Sequence, residues 1–212
     1  MEKIKTKQHF VIPAVFVASI WAVKILEIVF ELSFVKYGVL PGKTNGLYGV
    51  LFYPLIHGDL SHLFSNSAPL FVLTMGILYF YPSSAKKALA IIYFFSGILI
   101  WLFARESYHI GASGMIYGLS SFIFFSGIIR RDKKSITLAL LVTFLYGGLV
   151  MGVLPIDEKV SWEGHFFGAV LGFLCAIIFR KKDRPDKYDW EEEPVKKEKL
   201  EISYDKGYPF EE

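Results

Sequence analysis

Apolar residues fall into six long blocks, separated by short stretches of charged and turn-forming residues. The approximate bounds of the blocks are residues 9–34, 60–81, 88–104, 113–129, 136–154 and 164–179. Each block has roughly 16 to 26 residues, close to the ~20 that a helix needs to cross a hydrocarbon core of about 30 Å. A helix also satisfies its own main-chain polar groups inside lipid. The pattern predicts an all-α, polytopic membrane protein with a bundle of six transmembrane helices.

Composition supports this class and separates a body from a tail. Hydrophobic residues make up 53% of the 212 positions and aromatic residues 17%, which is too apolar for an ordinary soluble domain. Residues 180–212 nevertheless hold 20 of the 43 charged residues, with both signs mixed and little apolar periodicity. We therefore expect a membrane-embedded domain over residues 1–180 and a flexible, charged cytoplasmic tail over residues 181–212.

The distribution of lysine and arginine predicts the orientation in the membrane. Six crossings place both termini on one side, and that side receives 13 basic residues, against 4 on the other. The positive-inside rule then puts both termini in the cytoplasm, in a plasma or inner membrane. Lys3, Lys5 and Lys7 before the first block resemble the start of a secretory signal. We interpret that block as an uncleaved helix, because its removal would leave five spans.

The first block also contains charges. Lys24, Glu27 and Glu31 are spaced by three and four residues, so they share one helical face and could pair locally. Charges at this depth are costly unless they face protein or water. The single cysteine, Cys175, excludes an intrachain disulfide and a cysteine metal cluster. It lies among apolar residues, and we interpret it as an inert buried thiol.

Polar residues of three blocks lie at matching depth. Ser113 is 17 residues before the basic charges that end the fourth block, a rise of roughly 25 Å. His165 is 15 residues before the charges that end the sixth block, roughly 22 Å. Asn66 is as far from the end of the second block, and His62 lies four residues earlier on the same helical face. The depths predict that these four side chains lie in one layer.

Several residues of these blocks have ordinary alternative explanations. Asn66 could join helices through its amide, a common role in membranes, and Tyr117 could belong to an interfacial aromatic belt. Gly168 and Gly172 could simply permit close packing, and His57 could be an interfacial residue. The common depth of Ser113, His165, His62 and Asn66 favours a shared site over separate explanations.

Three motifs carry a resemblance to a known family. They are "HGDLSHLFSN" in the second block, "GASG" followed by Tyr117 in the fourth, and "GHFFGAVLG" in the sixth. In this order the sequence resembles the rhomboid family of intramembrane serine proteases, over most of the first 180 residues. A lone GxSG is common by chance, whereas the ordered set is specific.

The resemblance implies a role for each matching position. Ser113 would be the nucleophile and His165 the general base, while His62 and Asn66 match the residues that stabilise the oxyanion. Tyr117 matches the aromatic residue packed by the catalytic histidine. Gly111 and Gly114 match the glycines that flank the nucleophile, and Gly168 and Gly172 match the small face that lets helix six approach helix four. His57 matches a further histidine of helix two, which is expected to be structural.

The chemistry of the residues agrees with these roles. A serine hydroxyl becomes a good nucleophile when a base takes its proton, and histidine does this near neutral pH. Ser113 opens its predicted helix, so the first-turn N–H groups are free to face a developing negative charge. No aspartate lies at this depth, and we expect Glu163 to be an exposed loop residue. The machinery predicted is a Ser/His dyad.

The sequence also departs from the family in two places. Members often carry a tryptophan–arginine pair after the first span, but residues 36–52 contain neither residue type. A glycine and glutamate pattern near the end of helix two does not appear around residues 75–81. These departures concern anchoring of the loop and stability, because every catalytic position is filled.

The function expected from the resemblance is an intramembrane serine endopeptidase that cuts other membrane proteins. Its expected partners are the lipid bilayer and single-span membrane-protein substrates, without nucleic acid and without a metal or organic cofactor. A proton-coupled transporter is an alternative, since intramembrane His and Asn also form ion pathways. A catalytically inactive relative that acts as a binding chaperone is another. Retention of both Ser113 and His165 argues against the latter.

Overall fold

A computed structural model describes residues 2–156 and 160–183 of the chain. Six long helices form these parts, and a 3-10 helix, Gly147–Val153, continues the fifth. The helices are α1 (Glu2–Val29), α2 (Leu60–Phe80), α3 (Ala85–Phe103), α4 (Ser113–Arg130), α5 (Lys133–Tyr146) and α6 (Trp162–Ile178). The prediction of an all-α bundle is confirmed.

The helices have the length and composition of membrane spans. Within the described residues, five apolar segments are long enough to cross a bilayer: His9–Val29, α2, α3, α4 and Lys133–Val153. The sixth, α6, is apolar and slightly shorter at 17 residues. The chain is therefore a multi-pass integral membrane protein.

The first helix ends earlier than its apolar block predicts. The prediction extended the span to residue 34, but α1 ends at Val29. Glu31 adopts a left-handed conformation with φ of 50°, and the N–H of Leu32 donates to the Glu27 carbonyl oxygen at 2.9 Å. The Glu27 carboxylate accepts a further bond from the N–H of Phe34 at 2.6 Å. These bonds cap the helix end, which hydrophobicity alone does not reveal.

The charges on α1 anchor it to the segment before α2. The ammonium of Lys24 lies 3.0 Å from the Glu27 carboxylate and 3.0 Å from each of the carbonyl oxygens of His57 and Gly58. The predicted local pairing is confirmed for Lys24 and Glu27. Glu31 lies outside the helix in an exposed turn, so the expectation of one shared helical face was wrong for this residue.

Helices α4 and α6 pack with their backbones in contact. A Cβ atom on Gly168 would lie 2.0 Å from the Gly114 carbonyl oxygen, and one on Gly172 would lie 2.0 Å from the Gly118 carbonyl oxygen. No larger residue fits at either position without moving a helix. The close approach predicted for the small face of α6 is confirmed. Cys175, on the same helix, is a buried free thiol, as predicted.

The long segment between α1 and α2 is held by its own contacts. The main chains of Val39 and His109 exchange two hydrogen bonds of 3.0 and 2.8 Å. The indole N–H of Trp101 donates to the Lys43 carbonyl oxygen at 2.9 Å. Together with Lys24 these contacts anchor the segment without a tryptophan–arginine pair.

At the end of the bundle opposite Ser113, the last described residues join three helices. The Asp183 carboxylate accepts from the Ser83 N–H and the Ser84 hydroxyl, both at 2.6 Å. The Arg130 guanidinium, at the end of α4, donates to the Lys182 carbonyl oxygen at 2.6 Å. Ordered contacts of the membrane body thus reach residue 183. The predicted tail lies, from residue 184 onward, outside the described residues and stays a prediction.

Candidate active site

A tight turn delivers the chain to the start of α4. Gly111 has a φ of +105°, which residues with a side chain rarely adopt. Its N–H donates to the Tyr53 carbonyl oxygen at 2.8 Å. A Cβ atom at this position would lie 2.7 Å from the His62 ring and 3.8 Å from the Ser113 hydroxyl oxygen. Glycine is therefore required at this position for the His62 ring to lie against the turn that leads to Ser113.

Ser113 is the first residue of α4, as the sequence predicts. The first main-chain hydrogen bond at this end runs from the N–H of Met115 to the Ala112 carbonyl oxygen at 3.0 Å. The N–H groups of Ser113 and Gly114 precede it and have no carbonyl within the helix to bind. Both N–H groups are available to a hydrogen-bond acceptor at this end of the helix.

Helix α6 brings His165 against the serine. The distance from His165 Nε2 to Ser113 Oγ is 2.8 Å. The His165 ring stacks on Tyr117, with ring centroids 4.1 Å apart and an interplanar angle of 7°. The imidazole is only 7% exposed, so its position is fixed by packing. The structure thus brings together Ser113 and His165, which the sequence placed at one depth, and stacks on the histidine the Tyr117 ring that the resemblance implied.

The second nitrogen of His165 also has a partner. Its Nδ1 lies 2.8 Å from the main-chain carbonyl oxygen of Gly152, in the 3-10 helix after α5. A carbonyl oxygen can only accept, so Nδ1 carries the proton and Nε2 presents its lone pair to the Ser113 hydroxyl. Sequence analysis missed Gly152, because a main-chain carbonyl has no sequence signature.

His62 and Asn66 lie on α2. Asp59 caps α2 by accepting from the His62 N–H at 2.8 Å. The Asn66 amide donates to the His62 carbonyl oxygen, also at 2.8 Å. The predicted site residues other than the glycines share one cavity of about 610 Å³. It is lined by side chains that include His62, Asn66, Ser113, Tyr117 and His165.

His57 is not among the residues that line this cavity and is 1% exposed. Its Nε2 is the acceptor for the Ala112 N–H at 3.5 Å, and its ring packs edge-on against His62 with centroids 4.9 Å apart. Burial, with a smaller effect of His62, lowers the pKa of His57 from 6.5 to about 4. A neutral His57 can accept from the turn that leads to Ser113, in keeping with the structural role implied by the resemblance.

The expectation that Glu163 is an exposed loop residue was wrong. It lies in the first turn of α6 and is 4% exposed. Its Oε1 is 3.4 Å from the Arg105 N–H nitrogen and 3.7 Å from the Arg105 Nε atom. The Arg105 guanidinium also donates to the Val160 carbonyl oxygen at 2.7 Å. The helix begins two residues earlier than its apolar block, so this carboxylate packs against the loop between α3 and α4.

A second contact holds the same loop against the start of α6. His109 Nε2 donates to the Arg105 carbonyl oxygen at 3.0 Å, so Nδ1 accepts from the Ser161 hydroxyl at 2.6 Å. Burial lowers the pKa of His109 and favours this neutral ring. The bond joins the segment that leads to Ser113 with the segment that leads to His165.

The fold and site together define a multi-pass helical membrane protein with a serine–histidine pair that lines a cavity. The Rhomboid domain family matches residues 44–182, about two thirds of the chain. The chain therefore belongs to the rhomboid family.

Relatives of this chain occur in several bacteria. An uncharacterized protein of Mycobacterium tuberculosis is 35% identical over 80% of this chain and 74% of its own length. An uncharacterized protein of Mycobacterium leprae is 31% identical over 80% of this chain and 70% of its own. A protein of Bacillus subtilis named "Putative rhomboid protease YdcA" is 29% identical over 68% and 73%.

Proposed function

We propose that this protein is an intramembrane serine endopeptidase in which Ser113 is the nucleophile and His165 the general base. The observation that carries the proposal is the 2.8 Å contact between His165 Nε2 and Ser113 Oγ, in the tautomer that the bond to Gly152 selects. This is the arrangement that lets a base remove the serine proton. Family membership supports the same conclusion.

The reaction follows from the positions of these two side chains. Ser113 Oγ attacks the scissile carbonyl carbon as its proton passes to His165 Nε2. His165 then gives that proton to the leaving nitrogen, the C–N bond breaks and an acyl-enzyme ester remains. A water molecule attacks the ester as His165 takes its proton, and return of the proton to Ser113 Oγ releases the second product. The protonation state of both residues is restored, and no cofactor is consumed.

The negative charge on the tetrahedral intermediate needs hydrogen-bond donors. The N–H groups of Ser113 and Gly114 supply two, because they lie at the open end of α4. The His62 ring and the Asn66 amide line the same cavity from α2. Fixed donors in a site shielded from bulk water stabilise such a charge strongly.

The substrates proposed are single-span membrane proteins, cut near the outer face of the membrane. The Ser113 end of the bundle carries few basic residues, and the opposite end carries many, including Lys86, Lys87 and Arg130. The positive-inside bias places the opposite end and both termini in the cytoplasm. Ser113 then lies just below the outer surface of a plasma or inner membrane.

A fluorophosphonate probe tests the proposal, because it forms a covalent bond only with an activated serine. Purified protein in detergent should be labelled, and mass spectrometry should locate the adduct on Ser113. The Ser113→Ala variant should not react, and His165→Ala should react far more slowly. Ser19→Ala is the control that should label normally, since the Ser19 hydroxyl donates to the Val15 carbonyl oxygen within its own helix, α1. The proposal would be contradicted if folded Ser113→Ala protein were labelled at the wild-type rate. It would also be contradicted if the folded wild-type protein were not labelled at all.

A further inference from the structure

We propose that Gly152 is a positioning residue for His165, and that its main-chain carbonyl takes the place of the carboxylate in a catalytic triad. This inference rests on the proposed function. It concerns a residue outside the three motifs, in the 3-10 helix that follows α5.

The hydrogen bond between Gly152 and His165 has a defined direction. The Gly152 carbonyl oxygen lies 2.8 Å from His165 Nδ1, while Nε2 lies 2.8 Å from Ser113 Oγ. Because the carbonyl cannot donate, the bond holds the proton on Nδ1. In a Ser-His-Asp triad the carboxylate holds the same tautomer and stabilises the imidazolium that forms. When His165 takes the serine proton, its bond to Gly152 becomes charge-assisted and stronger.

The space beside the Cα atom of Gly152 is too small for a side chain. A Cβ atom on Gly152 would lie 1.9 Å from the Tyr117 hydroxyl oxygen and 3.3 Å from His165 Nδ1. The Tyr117 ring is stacked on the imidazole and is itself buried. The ring cannot withdraw without disturbing His165. Alanine at this position must therefore displace the 3-10 helix and lengthen the distance from the carbonyl to Nδ1.

The other glycines of this helix are not confined in this way. A Cβ atom on Gly148 would meet no atom within 4 Å, and one on Gly147 would meet only a methyl group of Thr143 at 3.9 Å. Close packing is thus a property of position 152, where the carbonyl reaches the histidine. Gly148→Ala is a matched control within the same 3-10 helix.

The kinetic test compares these two alanine variants with a cleavable membrane substrate. Removing the carboxylate from a serine protease triad costs about 10⁴-fold in kcat. We expect Gly152→Ala to lower kcat by about 10²-fold with a smaller change in KM, because a weaker acceptor is displaced and binding is not its role. Gly148→Ala should keep the wild-type kcat. Equal kcat values for Gly152→Ala and the wild type would overturn the inference.

A spectroscopic test reads the tautomer directly. The ring nitrogen shifts of ¹⁵N-histidine-labelled protein distinguish a protonated Nδ1 from a protonated Nε2, and the His165→Ala spectrum identifies the relevant signals. Wild-type His165 should carry its proton on Nδ1 when neutral, and Gly152→Ala should show a substantial Nε2–H population. A wild-type ring protonated on Nε2 overturns the inference, even if the alanine variant does not fold. This readout needs no activity, so it separates failure here from failure of the proposed protease.

Relief of the clash supplies the final check. Tyr117→Phe removes the hydroxyl oxygen that a Cβ at position 152 would strike. The double variant Gly152→Ala/Tyr117→Phe should therefore recover part of the Nδ1–H population and of the kcat lost in Gly152→Ala. A double variant with no recovery of either quantity would contradict the steric part of the inference.

Discussion

Among single residues, His62 and Asn66 are the side chains proposed to donate hydrogen bonds to the oxyanion beside Ser113. His62→Ala and Asn66→Ala should each slow cleavage by about 10²- to 10³-fold, the usual loss for one donor to an oxyanion. Both variants should still react with a fluorophosphonate, because the serine and its base remain. Cleavage rates and probe labelling of the two purified variants check this prediction. Wild-type turnover in both would place the oxyanion site elsewhere.

A conservative change at position 66 separates donation from packing. Asn66→Asp keeps the shape of the side chain but replaces its N–H donors with a carboxylate that only accepts. It should be at least as slow as Asn66→Ala, because its charge also repels the oxyanion. An aspartate variant faster than the alanine variant would show that Asn66 acts through packing.

His57 makes the stability of the protein depend on pH. Its pKa is about 4 in the fold, against an ordinary value of 6.5, and burial is the main cause, with His62, Lys24 and Asp59 nearby. Below 6.5 the unfolded chain binds the proton more readily, so stability is full above this pH and falls as pH drops towards 4. The melting temperature in detergent should fall over this window, and His57→Gln should reduce the slope. An unchanged slope in that variant would contradict the assignment.

Reasoning from the sequence predicted which side chains lie near one another. Ser113, His165, His62 and Asn66 line one cavity, because helical rise converts spacing along the chain into depth. It failed where the partner is a main-chain group or a tertiary contact. The Gly152 carbonyl and the burial of Glu163 both depend on how the ends of helices fold over the site, which spacing does not encode.

At the scale of helices, the packing of α4 against α6 sets the distance between serine and histidine. Gly168→Ala places a Cβ atom 2.0 Å from a main-chain carbonyl of α4, and Gly172→Ala does the same one turn further on. Main chain cannot rotate away as a side chain can, so we expect each change to destabilise the fold by about 1–3 kcal/mol or more. A lower melting temperature and weaker labelling of Ser113 check this.

Gly76→Ala is the matched control for these two substitutions. Gly76 lies within α2, and a Cβ atom there would meet no atom within 4 Å. Alanine favours a helix over glycine by about 0.5–1 kcal/mol, so this variant should be at least as stable as the wild type. If all three alanine variants melt alike, the backbone contact between α4 and α6 is not what holds the pair together.

Helix ends mark the limit of what hydrophobic periodicity predicts. The six blocks locate all six helices, because long apolar runs in lipid have few alternatives. The end of α1 lies five residues before the end of its block, since Glu31 and Glu27 cap it. The last turns of the fifth block form a 3-10 helix, not an α-helix, and this change places a carbonyl beside His165.

At the scale of the whole molecule, the position of the cavity determines which substrates can reach it. A substrate helix has its carbonyls hydrogen-bonded internally, so Ser113 can attack only a segment that unwinds locally. Helix breakers lower that cost, by roughly 1 kcal/mol for glycine and 3 for proline relative to alanine. We expect cleavage near the outer boundary of a single span, with small residues at the cut and a breaker beyond it.

A series of substrates in which that breaker is replaced by leucine checks this prediction. Cleavage should slow in each leucine variant, and insertion of each variant must be measured separately as a control. If every leucine variant is cut as fast as its parent, local unwinding does not select the substrate.

The most direct test of intramembrane proteolysis by Ser113 is cleavage of a single-span substrate by the purified protein in proteoliposomes. Mass spectrometry would map the cut. The wild type should make one set of cuts, near the membrane boundary on the Ser113 side. Ser113→Ala and His165→Ala proteins that fold and insert normally should make no cuts. Cleavage by Ser113→Ala at the wild-type rate would show that Ser113 is not the nucleophile.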